Sequence, residues 1–211
     1  MFFSRNILLQ ILFGIISFFI VVTCHEFTRA AVSTALGDVV PKNEKSLTLN
    51  PLKYTEPIGA ILFIITFLQG YGAFGWSKTV RTSPLYYKNR KKDSLLVAIL
   101  PSVANIILAF IALIIWKILP IYNSAVSTFL NVLILYNVSF AVCNCLPVPP
   151  MDCVKVLSLV LPAKQYFTYM QYEKIIQVIF IFLLVFRVFG SLLDTISLTI
   201  IRGMEMLLFF L

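Results

Sequence analysis

The sequence contains little charge and almost no histidine. Only 12% of its 211 residues are charged, Asp and Glu together number 9, and His25 is the single histidine. A folded protein of this size that meets water on all sides needs far more polar surface, so a water-soluble enzyme or carrier is excluded. A metal site that takes two histidines from this chain is excluded as well.

Long apolar runs take the place of charge. Hydrophobic residues make up 60% of the chain. Apolar stretches cover residues 7–23 with an extension to 36, 58–74, 95–119, 129–146 and 175–201. The four longer stretches can reach the roughly 20 residues that a helix needs to cross the hydrocarbon core. We therefore predict an all-α polytopic membrane protein, with residues 1–211 forming a single membrane-embedded domain.

Positive charge is concentrated in one loop, between residues 77 and 93. Against Asp93 alone, this loop contains Lys78, Arg81, Lys88, Arg90, Lys91 and Lys92. Cytoplasmic loops of membrane proteins carry such an excess of Lys and Arg. We interpret the loop as cytoplasmic and not as a nucleic-acid patch, so the bilayer is an expected partner and nucleic acid is not.

The stretch "VVTCHEFTRAAV" places three ionisable residues inside an apolar run. Such residues are costly in a membrane and tend to mark function. On a helix, His25 and Arg29 share one face and Glu26 lies beside them. This is the spacing of HExxH, in which two histidines hold zinc and the glutamate handles the proton of a metal-bound water. Here Arg29 replaces the second histidine, and a guanidinium has no lone pair to give to a metal.

Further motifs follow this stretch in a fixed order. After "HEFTRAAVSTALGD" come "LTLNPLKY", "IGAIL", "GAFGWSKTV", "PSVANIILA" and "CNCLPVPPMDC". Together, over roughly residues 23 to 156, they resemble the site-2 protease family of intramembrane zinc metalloproteases. The resemblance implies a helix bundle that cleaves transmembrane substrates with zinc as cofactor.

The resemblance also implies roles for individual residues. His25 matches the first zinc ligand, Glu26 the catalytic base and Asp152 the carboxylate ligand. The sequence departs from the family at Arg29, and also at Tyr54, Leu100 and Cys153, where relatives often have a histidine, a glycine and a glycine.

Three further residues are candidates for substrate binding through the same resemblance. Asn105 matches a helix asparagine associated with the substrate or the reaction centre, Trp76 lies in the "GWSK" loop, and Tyr54 follows the Asn-Pro motif. Each has a simpler alternative. Asn105 is equally suited to an interhelical hydrogen bond, and Trp76 to anchoring at the membrane interface.

His25 and Asp152 can meet only if their segments carry them to the same depth. If residues 58–74 crossed the membrane, the two side chains would lie on opposite sides. We therefore predict a re-entrant or interfacial hairpin there, because the stretch is short and ends in the glycine-rich "GYGAFG". This leaves about four transmembrane helices, a site toward the cytoplasmic side, and Arg5 outside. "KSLTLNP" and "SKTVRTS" alternate as short surface strands do.

Three accounts of the altered site remain open. Arg29 can pair with Asp152 or Glu26 and supply the missing counter-charge. Metal chemistry can be retained with other ligands. Thiolates can complete a mixed site, or cysteine can simply be a small apolar residue. The four cysteines are Cys24, Cys143, Cys145 and Cys153.

The sequence thus favours a site-2 protease homologue with a degenerate zinc site. We expect a pseudoprotease in the cell membrane that binds a transmembrane segment or partner protein and needs no metal. The alternative is an active intramembrane zinc metalloendopeptidase with a reorganised metal site. A transporter or a purely structural membrane protein rests on the helix count alone.

Overall fold

The computed structural model describes residues 7–70, 73–118 and 124–208. Within these ranges the regular structure is helical throughout and contains no strand. In chain order the helices are α1 (Ile7–Ala35), α2 (Val40–Asn43), α3 (Pro57–Leu68), α4 (Arg90–Ile118), α5 (Ser124–Asn144), α6 (Cys153–Val160), α7 (Ala163–Gln171), α8 (Glu173–Val185) and α9 (Gly190–Leu207). Single 3-10 turns lie at Pro51–Lys53 and Pro84–Tyr86.

The prediction of an all-α polytopic membrane bundle is confirmed. Three described helices, Leu9–Ala35, Arg90–Ile118 and Ala125–Asn144, are long and apolar enough to cross a membrane. A fourth span results if α7 and α8, which meet at a bend of 62°, count as one.

The prediction of short surface strands is wrong for the described residues. The backbone of residues 73–83, which we call segment 73–83, shows why no strand forms there. Their backbone N–H groups donate to acceptors that form no ladder: Lys78 to the carbonyl of Tyr54 at 2.8 Å, Val80 to Glu26 at 2.8 Å and Ser83 to Asp38 at 2.7 Å. The alternation of polar and apolar residues therefore occurs here in an irregular backbone, which is held mainly by hydrogen bonds to side chains.

The core lies where α1, α4 and α5 pack against one another. The indole of Trp116, near the end of α4, donates to the hydroxyl of Ser127, near the start of α5, at 3.0 Å, so these two helices run antiparallel. A second cluster joins α1, α3 and α5 through aromatic rings. The centroid of Phe63 lies 4.8 Å from that of Phe18 and 4.5 Å from that of Tyr136. The bundle thus encloses the middle and the C-terminal half of α1.

Helix α3 is too short to cross the bilayer. Its 12 residues extend for about 18 Å at 1.5 Å per residue, against a hydrocarbon core of about 30 Å. It begins at Pro57, with the Glu56 carboxylate accepting from the N–H of Gly59 at 2.7 Å. Beyond α3 the chain turns back, and the N–H of Phe74 donates to the hydroxyl of Thr66 at 2.9 Å. This region is therefore a hairpin, as the sequence predicted.

Two glycines allow the hairpin to close. A Cβ added at Gly59 would overlap the backbone carbonyl of Trp76, and one added at Gly75 would overlap the carbonyl oxygen of Gly59. Only residues without a side chain let the two backbones approach this closely. The pair therefore sets segment 73–83 directly against α3.

The apolar stretch of residues 175–201 does not form a single helix. The stretch divides into α8 and α9, and between them Arg187 has a positive φ of 63°. The break is tied to the end of α3. The side chain of Gln69 donates to the carbonyl of Val185 at 3.0 Å, and the guanidinium of Arg187 donates to the carbonyl of Gln69. Arg5, predicted to lie outside the membrane, is beyond the described residues.

Candidate functional site

The C-terminal half of α1 carries three ionisable side chains on one buried face. His25 and Glu26 are 0% exposed and Arg29 is 1% exposed. The turn between α5 and α6 brings Asp152, itself 2% exposed, to the same place. Nε2 of His25 lies 2.8 Å from Oδ2 of Asp152. The structure therefore brings these two residues together.

Arg29 lies at the centre of this group. Its Nε donates to Oε2 of Glu26 at 2.9 Å, and its Nη2 donates to Oδ2 of Asp152. The same Nη2 is 3.1 Å from Nε2 of His25. Nε2 of His25 and Oδ2 of Asp152 are the atoms through which these two residues face each other, and the guanidinium lies against both of them. Arg29 therefore pairs with both carboxylates, as one of the three accounts predicted.

The residues present do not fit a catalytic zinc ion. Such an ion takes three protein ligands and a water. In the described part of the chain no group of three or more His, Cys, Asp or Glu side chains could hold a metal. Among the cysteines, Cys143 is buried, with its Sγ 3.7 Å from Sδ of Met151, and Cys145 is exposed. The cysteines therefore do not complete a ligand set in this arrangement.

Both carboxylate oxygens of Glu26 are occupied. Oε1 accepts from the hydroxyl of Ser77 at 2.7 Å. Oε2 accepts from Nε of Arg29 and from the N–H of Val80 at 2.8 Å. A general base needs an oxygen that can reach the proton it removes. Here the oxygens hold segment 73–83 against α1 instead.

Lys155 is a second cation at the site. It lies three residues after Asp152, and its Nζ is 3.5 Å from Oδ1 of that carboxylate. The side chain is 41% exposed, but Nζ itself is buried. Burial, followed by the Arg29 guanidinium, lowers the pKa of Lys155 to about 8. Burial, the largest single effect, would raise the pKa of Asp152, but Arg29, His25 and Lys155 together outweigh burial and hold this pKa well below its usual range.

Sequence reasoning missed Ser77, Val80 and Lys155. For Lys155 a signal was present, because a lysine three residues after an acidic residue faces it on a helix. For Ser77 the signal was only its place in the "GWSK" loop. Val80 contributes a backbone N–H, which no side-chain pattern reveals.

Asn105 joins α4 to α1 just before His25. Its side-chain amide donates to the carbonyl of Val21 at 3.4 Å, and Asn105 is 0% exposed. The interhelical hydrogen bond that the sequence allowed is therefore present. The proposed contact with substrate stays a prediction.

Tyr54 and Trp76 lie inside the protein. Tyr54 is 1% exposed, and its hydroxyl is 2.6 Å from the carbonyl oxygen of Ser46 and 2.7 Å from that of Thr48. Trp76 is 3% exposed and belongs to the hydrophobic core. Trp76 is thus a core residue and not an anchor at the membrane interface. Substrate binding by either residue stays a prediction.

Asp38 fixes the far end of segment 73–83. Its carboxylate accepts from the hydroxyl of Ser33 at 2.8 Å, the N–H of Val40 at 2.9 Å and the N–H of Ser83 at 2.7 Å. The hydroxyl of Ser33 also lies 2.7 Å from that of Tyr87. These bonds connect the end of α1 to the loop before α4, and they hold Ser77 and Val80 over Glu26.

The fold and the site define a membrane helix bundle in which one histidine, two carboxylates and an arginine meet in a buried group. A comparison with curated proteins finds a similar sequence in Bacillus subtilis (strain 168), named "Putative zinc metalloprotease YwhC". It is 28% identical over 156 residues, which cover 70% of this chain and 68% of that protein. The likeness supports a metalloprotease-like family for the chain. No protein-family model matches the chain, and no solved structure matches it.

Proposed function

We propose that this protein is a site-2 protease homologue whose zinc site has become an ion-pair network, and that it acts as a pseudoprotease. The observation that carries the proposal is the position of Arg29. Its guanidinium contacts His25, Glu26 and Asp152. By the family resemblance these residues match a zinc ligand, the catalytic base and the carboxylate zinc ligand. A cation fixed in this way opposes a dication by charge and occupies its ligands.

The state of Glu26 supports the same proposal. Peptide hydrolysis at such a site requires the glutamate to take a proton from water. Glu26 instead accepts hydrogen bonds from Arg29, Ser77 and Val80. Freeing it would break three contacts in a buried environment, where an unpaired donor costs about 1–3 kcal/mol.

A pseudoprotease still needs a surface for its partner. An apolar groove of about 580 Å³ runs along α1, lined by Ile16, Ile20, Thr23 and Phe27 together with Leu49 of the following loop. A groove of this kind suits an apolar transmembrane segment, which it would bind by van der Waals packing. We propose such a segment as the partner, in the cell membrane, with the site toward the cytoplasm.

The alternative function is an active intramembrane zinc metalloendopeptidase. Two observations favour it: the name of the similar Bacillus subtilis protein, and the contact between His25 and Asp152. It requires Arg29 to leave the group and a further ligand to join it.

The metal content of the detergent-purified protein distinguishes the two functions. Elemental analysis of the wild type is compared with that of Arg29→His and Asp152→Ala. The pseudoprotease proposal expects wild type without zinc. Near-stoichiometric zinc in the wild type that is lost in Asp152→Ala would overturn it and favour the protease.

The binding part of the proposal is tested by photo-crosslinking in native membranes. A photoreactive residue at Ile20, inside the groove, is compared with one at Ile179, which is 53% exposed on α8. We expect one discrete adduct from position 20 alone, with unchanged yield after treatment with a zinc chelator. Equal labelling from both positions, or loss of the adduct on chelation, would contradict metal-independent binding in the groove.

A further inference from the structure

The site contains as many cations as carboxylates. Asp152 contacts both Arg29 and Lys155, and Glu26 contacts Arg29. Two negative side chains therefore face two positive ones in a place where neither carboxylate is more than 2% exposed. Nζ of Lys155 is buried and forms no hydrogen bond with the described residues, so its contact with Asp152 at 3.5 Å is an ion pair, and buried charge is tolerated when it is paired in this way.

The placement of Lys155 is not explained by local structure. It is the third residue of α6, which begins at Cys153. The first turn of a helix carries partial positive charge and favours acidic side chains over basic ones. A lysine whose stem is 41% exposed could also extend into solvent, yet its Nζ is buried beside Asp152. The carboxylate of Asp152, 3.5 Å away, is therefore the acidic group that this inward-turned amine faces.

We infer that Arg29 and Lys155 together replace the charge of a divalent metal ion. The inference rests on the proposed function and extends it. Two carboxylates and one histidine would be balanced by a dication; here they are balanced by two separate monocations. Arg29 contacts the atoms that would bind the metal, and Lys155 supplies the second positive charge.

The consequence is that one substitution does not restore a metal site. Arg29→His would provide the second ligand nitrogen, but Lys155 would remain beside Asp152 and repel the metal. At an effective dielectric constant of about 20, a dication and an ammonium roughly 6 Å apart repel each other by the equivalent of several decades in affinity. A tenfold difference between variants is a conservative threshold.

Titration with Co²⁺ tests the inference. Three variants are purified in detergent and titrated while the visible absorption of bound cobalt is recorded: Arg29→His, Arg29→His with Lys155→Gln, and Arg29→His with Lys155→Arg. We expect the Lys155→Gln double variant to bind at least tenfold more tightly than the other two. The Lys155→Arg double variant is the matched control, since it changes the side chain and keeps the charge.

Three results would overturn the inference. Arg29→His alone could bind as tightly as the double variant, or Lys155→Arg could perform as well as Lys155→Gln, or none of the variants could bind. Metal in the wild type would instead overturn the proposed function, so the two failures are distinguishable.

A second measurement covers the case in which the Arg29 variants do not fold. In the wild-type background, Lys155→Gln leaves two carboxylates with one cation, and we expect its thermal midpoint to fall by about 2–6 °C. Lys155→Arg should retain the midpoint. The control is Lys164→Gln, because Lys164 also lies in the first turn of a helix but is exposed. We expect this variant to have the same thermal midpoint as the wild type. Equal midpoints for Lys155→Gln and Lys164→Gln would refute a charge role for Lys155.

Discussion

Replacing Arg29 by alanine would remove the centre of the buried ion-pair network. Its guanidinium is 1% exposed and pairs with Glu26 and Asp152, which are equally buried. Breaking a buried ion pair by removing one partner costs about 3–5 kcal/mol, because the remaining charge has no counter-charge and no water. Lys155 would be left as the single cation for two carboxylates.

The expected loss is large enough to measure in detergent. For a protein of about 200 residues, 1 kcal/mol shifts the thermal midpoint by about 2–4 °C, so Arg29→Ala should lower it by about 6–20 °C. The intrinsic fluorescence of the two tryptophans, Trp76 in the core and Trp116 packed against it, reports the transition.

Arg81→Ala is the matched control. Arg81 lies 3.6 Å from Glu44, but its side chain is 83% exposed. Exposed pairs contribute about 0–1 kcal/mol, so this variant should shift the midpoint by a few degrees at most. If Arg29→Ala shifted the midpoint no more than Arg81→Ala does, the network would not be a stabilising element and the reasoning would fail. In a double-mutant cycle, Asp152→Asn should destabilise the Arg29→Ala variant by less than it destabilises the wild type.

Three further predictions use the same thermal assay. Gly59→Ala should destabilise the protein by about 1–3 kcal/mol, because the added Cβ meets the backbone carbonyl of Trp76. Gly203→Ala is its control: a Cβ there has nothing within 4 Å, so the change should be neutral or stabilise the protein by up to about 1 kcal/mol. Equal effects of the two variants would contradict the close backbone approach at Gly59. Tyr54→Phe should cost about 1–3 kcal/mol, because buried carbonyls lose their donor, and Tyr86→Phe on the surface should cost nothing measurable. Ser77→Ala should destabilise by about 1 kcal/mol or more, and Ser77→Thr, which keeps the hydroxyl, should restore most of it; failure of threonine to do so would mean that the bond to Glu26 contributes little.

The parts of the fold that follow from hydropathy and chain length could be predicted from the sequence. Apolar runs identified α1, α4 and α5, and the shortness of residues 58–74 identified a hairpin. The meeting of His25 and Asp152, which are 127 positions apart in the chain, was implied by the family resemblance, and requiring both at one depth predicted the hairpin. Arg29 as a counter-charge followed from the chemistry of a guanidinium.

Other parts depend on contacts that no local pattern contains. The break between α8 and α9 is tied to Gln69 at the end of α3, more than a hundred residues earlier. Residues 73–83 have the alternation of a strand, but Glu26 on α1 and Asp38 just beyond it accept from the N–H groups of Val80 and Ser83 in place of a neighbouring strand. Lys155 carried only an ambiguous signal, because a lysine in a first helical turn faces solvent more often than it turns inward.

The contacts of Glu26 have a consequence for how its mutants are interpreted. A buried backbone N–H needs an acceptor within the protein, and Glu26 is the acceptor for the N–H of Val80. Glutamine has one acceptor oxygen where glutamate has two, so Glu26→Gln weakens the attachment of the hairpin whether or not any peptide is cleaved. A phenotype of that variant therefore measures architecture as well as chemistry, because Glu26 accepts hydrogen bonds from Arg29, Ser77 and Val80 independently of any substrate.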